Sequence, residues 1–187
     1  MSVEDKIKKV FKETWNIFSN QFVVLILGTL VAILMMLLVV TIPPMIFGIY
    51  ILCMNVMNGK KAKVSDVFKG FNYFFRSWGL FLLYVLGIIG GLVLLIVPGI
   101  LLMIVWQYAF VIAVMENKGV IESLKRSYHL GKKNFAFSAI LFIIVMIIST
   151  IGSLTRIGVL VTVPFITLAT MVATKMLSKG KKKSKKK

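Results

Sequence analysis

The sequence predicts an all-α integral membrane protein, a bundle of six transmembrane helices. Three observations favour this fold class: apolar residues are in excess, they gather into long runs, and almost all the charge lies between the runs. Hydrophobic residues make up 59% of the 187 positions and charged residues 16%, whereas a soluble domain has about 45–50% and about 25%. This composition excludes an ordinary soluble domain, and the abundance of Leu, Ile, Val and Phe excludes a disordered chain.

The apolar runs account for the six helices in chain order. Crossing the hydrocarbon core takes roughly 20 apolar residues, and four runs reach that length. They are residues 21–41, 78–97, 135–155 and 157–176. Run 100–115 is shorter but follows directly on Pro98-Gly99. Run 44–57 would extend only about 21 Å at about 1.5 Å per residue, so it is either a short span or a re-entrant segment, and we expect a span.

Helix-breaking residues separate the runs in pairs. Pro43-Pro44 lies between the first two runs, and Val97-Pro98-Gly99 lies between the next two. A stretch with two glycines, 152–158, separates the last two. Because proline fits the first turn of a helix, these breaks predict tight hairpins between antiparallel helices.

The polar linkers before the first, third and fifth runs resemble one another. Aromatic residues occupy matching positions in all three, at offsets of 56 or 57 residues. These positions hold Trp15, Phe71 and Tyr128, and then Phe22, Trp78 and Phe135. We therefore predict one membrane domain, 1–177, built from three pseudo-repeats, each with a cytoplasmic amphipathic helix and a helical hairpin. The repeats are 3–58, 60–117 and 119–178, and a disordered Lys-rich cytoplasmic tail, 179–187, follows them.

Each linker combines an apolar, aromatic face with Lys and Arg on the opposite face, which is the pattern of a helix lying in a membrane interface. In the third linker the apolar face consists of Val120, Leu124, Tyr128 and Phe135. The basic side chains are candidate contacts for lipid phosphates. They are Lys8, Lys9, Lys12, Lys69, Lys125, Arg126, Lys132 and Lys133. Ordinary juxtamembrane and aromatic-belt structure without a special role remains the alternative.

The distribution of basic residues predicts the orientation. With six spans, 22 of the 23 Lys and Arg residues lie on one side of the membrane and only Arg156 lies on the other. The positive-inside rule then predicts that the protein lies in the cell membrane with both termini in the cytoplasm. Five spans would divide the basic loops between the two sides, so the charge distribution favours six.

The sequence offers few residues for catalysis or metal binding. It has one Cys (Cys53) and one His (His129), and no charged residue lies in the middle of an apolar run. This argues against a disulfide framework, a His-pair metal site and an ion-coupled transporter, and we expect neither enzymatic activity nor a cofactor or metal. Gln107 and Asn55 are candidate intramembrane polar contacts, either as interhelical hydrogen bonds or as ligand contacts in a cavity.

Several motifs resemble those of a known family. They are LIVPGI at 95–100, WQYAF at 106–110, ESLKRSY at 122–128, KNF at 133–135, GK at 59–60 and VSDVFKGF at 64–71. Over most of residues 1–177 the chain is similar to a broad prokaryotic family of largely uncharacterised multi-pass membrane proteins, which includes the membrane domain of glycerophosphoryl diester phosphodiesterases. The resemblance implies a six-helix membrane protein. It implies no activity, because the sequence contains no phosphodiesterase catalytic domain.

We expect a polytopic cytoplasmic-membrane protein without catalytic activity that acts in membrane or envelope homeostasis, through lipid contact or by scaffolding partners. The alternative is a transporter or channel subunit for a neutral or amphiphilic solute. Polar side chains that converge on one cavity would favour transport. Membrane lipids with anionic headgroups are the expected partners. Specific nucleic-acid binding is not expected, because the basic residues lie only between apolar runs.

Overall fold

The computed structural model describes residues 2–155 and 157–184, with side chains up to residue 178. Over these residues the chain is mostly helical and forms no strand, which confirms the all-α prediction. The α-helices are α1 (Val3–Asn20), α2 (Phe22–Met35), α3 (Ile42–Met57), α4 (Phe74–Leu94), α5 (Ile96–Trp106), α6 (Ala109–Met115), α7 (Val120–Lys133), α8 (Phe135–Leu154) and α9 (Gly158–Ser184). Two 3₁₀ helices, Val39–Thr41 and Val64–Tyr73, precede α3 and α4.

Two sequence-based expectations concern residues outside this description. Arg156 is one, and the side chains of the expected Lys-rich tail, 179–187, are the other. The position of Arg156 and the disorder of residues 185–187 therefore stay predictions, whereas α9 continues through the first part of the expected tail to Ser184.

Five stretches are long and apolar enough to cross a membrane, which supports the prediction of a multi-pass membrane protein. They are Val39–Met57, Val64–Leu94, Ile96–Met115, Phe135–Leu154 and Gly158–Ser178. The helices α1 and α2 qualify as a sixth only when taken together, and they meet at an angle of 86°. Over the described residues the number of spans is thus five or six.

The first hairpin differs from the run lengths expected for it. α2 ends at Met35 after 14 residues, and the Thr41 hydroxyl lies against the backbone carbonyls of Met35 and Leu38 in the turn that follows. Residues 44–57, which looked too short on their own, belong to the 19-residue stretch Val39–Met57. The reason is that the two prolines lie inside the first turn of α3, where a missing N–H costs nothing, so they do not separate the two runs.

We expected the short connections near Pro43 and Pro98 to lie at the same end of the bundle, but in the structure they lie at different ends. The Trp78 indole donates a hydrogen bond of 3.1 Å to the carbonyl of Val40, so the first connection lies beside the start of α4. Arg76, in the same turn of α4, binds the carbonyl of Lys118. The second connection, at Leu95, lies at the other end of this 21-residue helix.

The same order of elements occurs three times: a linker helix, a helix, a connection and a second helical segment. One residue with φ between −114° and −140° separates each linker from the helix that follows; the three are Gln21, Tyr73 and Asn134. α2 and α8 begin at Phe22 and Phe135, as the alignment expects, but α4 begins at Phe74 and places Trp78 one turn further in. The second linker is a 3₁₀ helix rather than an α-helix.

The 3₁₀ helix Val64–Tyr73 packs backbone to backbone against α3. A Cβ atom on Gly70 would collide with the carbonyl oxygen of Pro44, and one on Gly48 would collide with the carbonyl oxygen of Val67. Glycine is therefore required at both positions for this approach. The contact fixes the second linker along the side of a neighbouring helix.

Asp66 secures the same contact through polar groups. It is 6% exposed and accepts hydrogen bonds of 3.0 Å from the Asn55 side-chain amide and 3.0 Å from the backbone N–H of Lys63. Lys69 forms an ion pair of 2.6 Å with the other carboxylate oxygen. A buried carboxylate with this many partners is satisfied, so it ties α3 to the linker.

Replacing Gly70 by Ala should destabilise the protein by about 1–3 kcal/mol, the usual cost of overpacking a close contact. The matched control is Gly90→Ala, because a Cβ atom on Gly90 of α4 meets nothing within 4 Å. The measurement is the thermal unfolding midpoint in detergent. Equal midpoints for Gly70→Ala and Gly90→Ala would contradict the backbone-to-backbone contact.

Candidate functional site

The third linker helix, α7, is held against α5 by a face of small residues. The Ser127 hydroxyl donates to the carbonyl of Val105 at 2.7 Å, and a Cβ atom on Gly131 would lie 2.7 Å from the Cα atom of Val105. The buried residues of α7 are Ser123, Leu124, Ser127, Leu130 and Gly131.

The buried face of α7 is therefore not the apolar face expected from the sequence. Of that face only Leu124 is buried, whereas Tyr128 is 39% and Phe135 is 42% exposed. Small residues allow two helix backbones to approach more closely than aromatic ones do, so they take the contact and Tyr128 projects to the side.

Two adjacent cavities result, one on each side of Tyr128. The first has a volume of about 410 Å³ and is lined by Pro98, Leu101, Leu102, Val105, Tyr128, Lys132 and Phe135. The second, of about 310 Å³, is lined by Leu102, Trp106, Ile121, Leu124, Lys125, Tyr128 and His129. Because Leu102 and Tyr128 line both, we treat them as one feature and call it the α7 groove.

The α7 groove combines cationic side chains with an apolar wall. Lys132 belongs to its first part, with Nζ 5.7 Å from the centre of the Tyr128 ring, a cation–π distance. Lys125 and His129 belong to its second part, and all three side chains are exposed. An anionic headgroup can bind at the lysines while an acyl chain lies along the apolar wall.

The predicted phosphate contacts on α7 divide into two groups. Arg126 turns toward protein: its Nε lies 3.5 Å from a carboxylate oxygen of Glu116, and its side chain is 21% exposed. A second nitrogen lies 3.4 Å from the hydroxyl of Ser178 in α9. Arg126 therefore holds the bundle together, whereas Lys125 and Lys132 line the groove and Lys133 is exposed on the last turn of α7.

The other predicted contacts lie on the first two linkers. Lys8 pairs with Glu4 at 2.5 Å on α1, and Lys69 pairs with Asp66. Lys9 and Lys12 are exposed on α1. Lys69 thus has a structural partner, whereas Lys9 and Lys12 point to the surroundings of the protein.

Gln107 lies where α5 ends and α6 has not yet begun. Its side-chain nitrogen donates to the carbonyls of Ile104 at 2.8 Å and Ser138 at 2.9 Å, so both amide hydrogens are used and Oε1 is left as an acceptor. Gln107 also lines a cavity of about 380 Å³, which we call the central cavity. Both roles considered for this residue, interhelical hydrogen bond and cavity wall, are therefore combined in it.

The central cavity lies among five helices. Its lining residues are Ile46, Tyr50, Phe81, Tyr84, Val85, Gln107, Phe110, Phe142, Val145, Ile166 and Thr170. Sequence reasoning missed Tyr50 and Tyr84, although each is the one tyrosine in its apolar run. Asn55, by contrast, binds Asp66 at the edge of α3, and no sequence pattern pairs these two positions.

One family model matches residues 44–180 of the chain, that of an uncharacterised protein family (UPF0259). The matched segment contains the whole α7 groove and the whole central cavity, but neither α1 nor α2. The match carries no information about glycerophosphoryl diester phosphodiesterases. No curated protein and no solved structure matches the chain.

Replacing Arg126 by Gln should lower the free energy of unfolding by about 1 kcal/mol, because a partly buried Glu116 carboxylate loses its cationic partner. Lys125→Gln, one residue away and exposed, should change it by less than about 0.5 kcal/mol. The comparison uses thermal unfolding midpoints of the two variants in the same detergent. Equal shifts would mean that Arg126 has no special structural role.

Proposed function

The chain belongs to the uncharacterised protein family UPF0259, and we propose that it is a multi-pass cell-membrane protein that acts without catalysis in membrane or envelope homeostasis, by binding anionic lipid. The observation that carries this proposal is the α7 groove, where Lys125 and Lys132 stand beside an apolar wall that contains Leu102 and Trp106. Phospholipids with anionic headgroups have the same division into a charged end and an apolar chain.

The expected strength of this binding is modest and depends on salt. A basic residue near an anionic surface contributes about 1 kcal/mol, and charges are screened over about 8 Å at physiological ionic strength. Lys132 is better placed than a freely moving lysine, because the Tyr128 ring holds its ammonium group at the groove. The proposal therefore predicts selectivity for anionic headgroups that weakens as salt is added.

The proposed orientation puts both termini in the cytoplasm. It rests on the basic residues of the linkers and the tail. The α7 groove then faces the cytoplasmic leaflet, which is the leaflet rich in anionic lipid. The element order that occurs three times, with the same backbone conformation at Gln21, Tyr73 and Asn134, supports a threefold repeat as the origin of this arrangement.

The central cavity favours a second candidate function, transport of a neutral or amphiphilic solute. Tyr50 of α3, Tyr84 of α4 and Gln107 between α5 and α6 converge on it. Such convergence of polar groups inside an apolar bundle is expected of a passage for solutes. Among the described residues, no charged side chain lines the cavity, so the solute would be neutral.

The double variant Lys125→Gln, Lys132→Gln should lose most of the preference for phosphatidylglycerol over phosphatidylcholine. Two lysines at about 1 kcal/mol each correspond to a reduction of roughly thirty-fold at most. Native mass spectrometry of the protein in detergent with mixed lipids measures the ratio of bound species.

The matched control for this experiment is Lys9→Gln, Lys12→Gln, which removes the same charge from exposed positions on α1. It should retain most of the wild-type preference. If the two double variants behave alike, the lipid preference reflects net charge and not the α7 groove.

The orientation can be tested by labelling single cysteines in a Cys53→Ser background with a membrane-impermeant maleimide. Leu154→Cys, which is exposed at the end of α8 that leads into α9, should react in intact cells. Lys182→Cys should react only after the membrane is permeabilised. Labelling of position 182 in intact cells would reverse the proposed orientation.

A further inference from the structure

The walls of the central cavity are aromatic. Tyr84 and Phe110 pack edge to face with ring centres 5.3 Å apart, and Tyr50 and Phe110 stack at 6.2 Å with an angle of 17° between their planes. Phe81 and Phe142 complete this lining from α4 and α8. A flat ring is the shape that such walls accommodate best, because aromatic pairs favour offset-stacked and edge-to-face contacts.

The polar groups of the cavity are neutral and are available to a ligand. Within the described residues, the hydroxyls of Tyr50 and Tyr84 form no hydrogen bond, whereas the hydroxyl of neighbouring Tyr108 is paired with that of Ser138 at 2.9 Å. The amide of Gln107 has used its hydrogens and offers Oε1. The cavity thus provides two hydroxyl donors and one carbonyl acceptor.

These features define the chemistry of an occupant. The part of the chain that the structure describes puts no charged residue in the lining, so an ion would lose its hydration without compensation. A volume of about 380 Å³ lies within the roughly 300–1,000 Å³ of small-molecule sites. Ring oxygens on the ligand would accept from the tyrosines, and a ring hydroxyl would donate to Gln107.

The expected route into the cavity runs from the bilayer between α4 and α8. Over the described residues, α4 and α8 are not packed along one another, and both contribute side chains to the cavity, among them Val85 and Val145. An apolar tail on the ligand could therefore leave between these two helices and remain in the hydrocarbon. The ligand is then a lipid that carries its polar group on a flat ring.

We propose that the central cavity binds a neutral membrane lipid with a flat, oxygen-bearing ring, of the isoprenoid quinone or quinol class. Tyr50 and Tyr84 donate to the ring oxygens, and in the quinol form Gln107 Oε1 accepts from a ring hydroxyl. The site is separate from the α7 groove, so it extends the proposed function and does not depend on it. No electron transfer is part of this proposal, only binding.

The test measures binding of decylubiquinone to the purified full chain in detergent by native mass spectrometry. The variant Tyr50→Phe, Tyr84→Phe removes both hydroxyls and keeps both rings, and Tyr73→Phe, outside the cavity lining, is the control. We expect saturable binding to wild type and Tyr73→Phe. We expect roughly thirty-fold weaker binding to the double variant, since each of the two lost hydrogen bonds contributes about 1 kcal/mol.

Two further binding measurements separate this proposal from nonspecific binding and from binding at the α7 groove. Decylbenzene has the ring and the tail but no ring oxygens, and it should bind at least ten-fold more weakly than decylubiquinone. The variant Lys125→Gln, Lys132→Gln should bind decylubiquinone like wild type even if its lipid preference changes. The proposal would be overturned by the absence of saturable binding, by equal binding of decylubiquinone and decylbenzene, or by an unchanged affinity of the double tyrosine variant.

Discussion

The rest of the structure depends on close contacts between a linker helix and a neighbouring helix. These contacts form at glycine residues, where the two backbones can approach each other. Gly70 and Gly48 let the 3₁₀ helix touch the backbone of α3, and Gly131 lets α7 touch α5 at Val105. Because lipid tails are as apolar as the helices, association in a membrane relies on such packing and on interhelical hydrogen bonds. Ser127 and Asp66 supply those bonds at the same two contacts.

This packing also decides which basic residues can meet a ligand. Once the small face of α7 is buried, Arg126 is directed toward Glu116, while Lys125 and Lys132 line the groove one turn before and one turn after Tyr128. The same helix therefore carries a structural cation and two cations that line an open groove. A helix lying freely on a membrane would present all of them alike.

The fold class and the positions of most helices follow from the sequence, because run length and proline placement depend on local chemistry. The all-helical class and the short connection near Pro98 were predicted. Two features were not predicted: the first span is shorter and the second longer than its apolar run, and Val64–Tyr73 is a 3₁₀ helix. They depend on contacts between residues far apart in the chain, such as Gly70 with Pro44. The site shows the same division: Gln107 stood out in an apolar run, but Tyr50 and Tyr84 become significant only because five helices surround one cavity.

The α7 groove and the central cavity select a ligand by different physical properties. In the α7 groove the lysines are exposed, so their charge is solvated until an anionic headgroup replaces water, and the energy gained is small and sensitive to salt. In the central cavity any charge would have to be desolvated inside the bundle, which costs several kcal/mol at least, whereas an unpaired hydroxyl on Tyr50 or Tyr84 gains a partner when a neutral ligand enters. The groove therefore discriminates by headgroup charge and the cavity by hydrogen bonding and shape. A bilayer that contains both an anionic phospholipid and a neutral ring-bearing lipid would deliver each to a different place on the same protein.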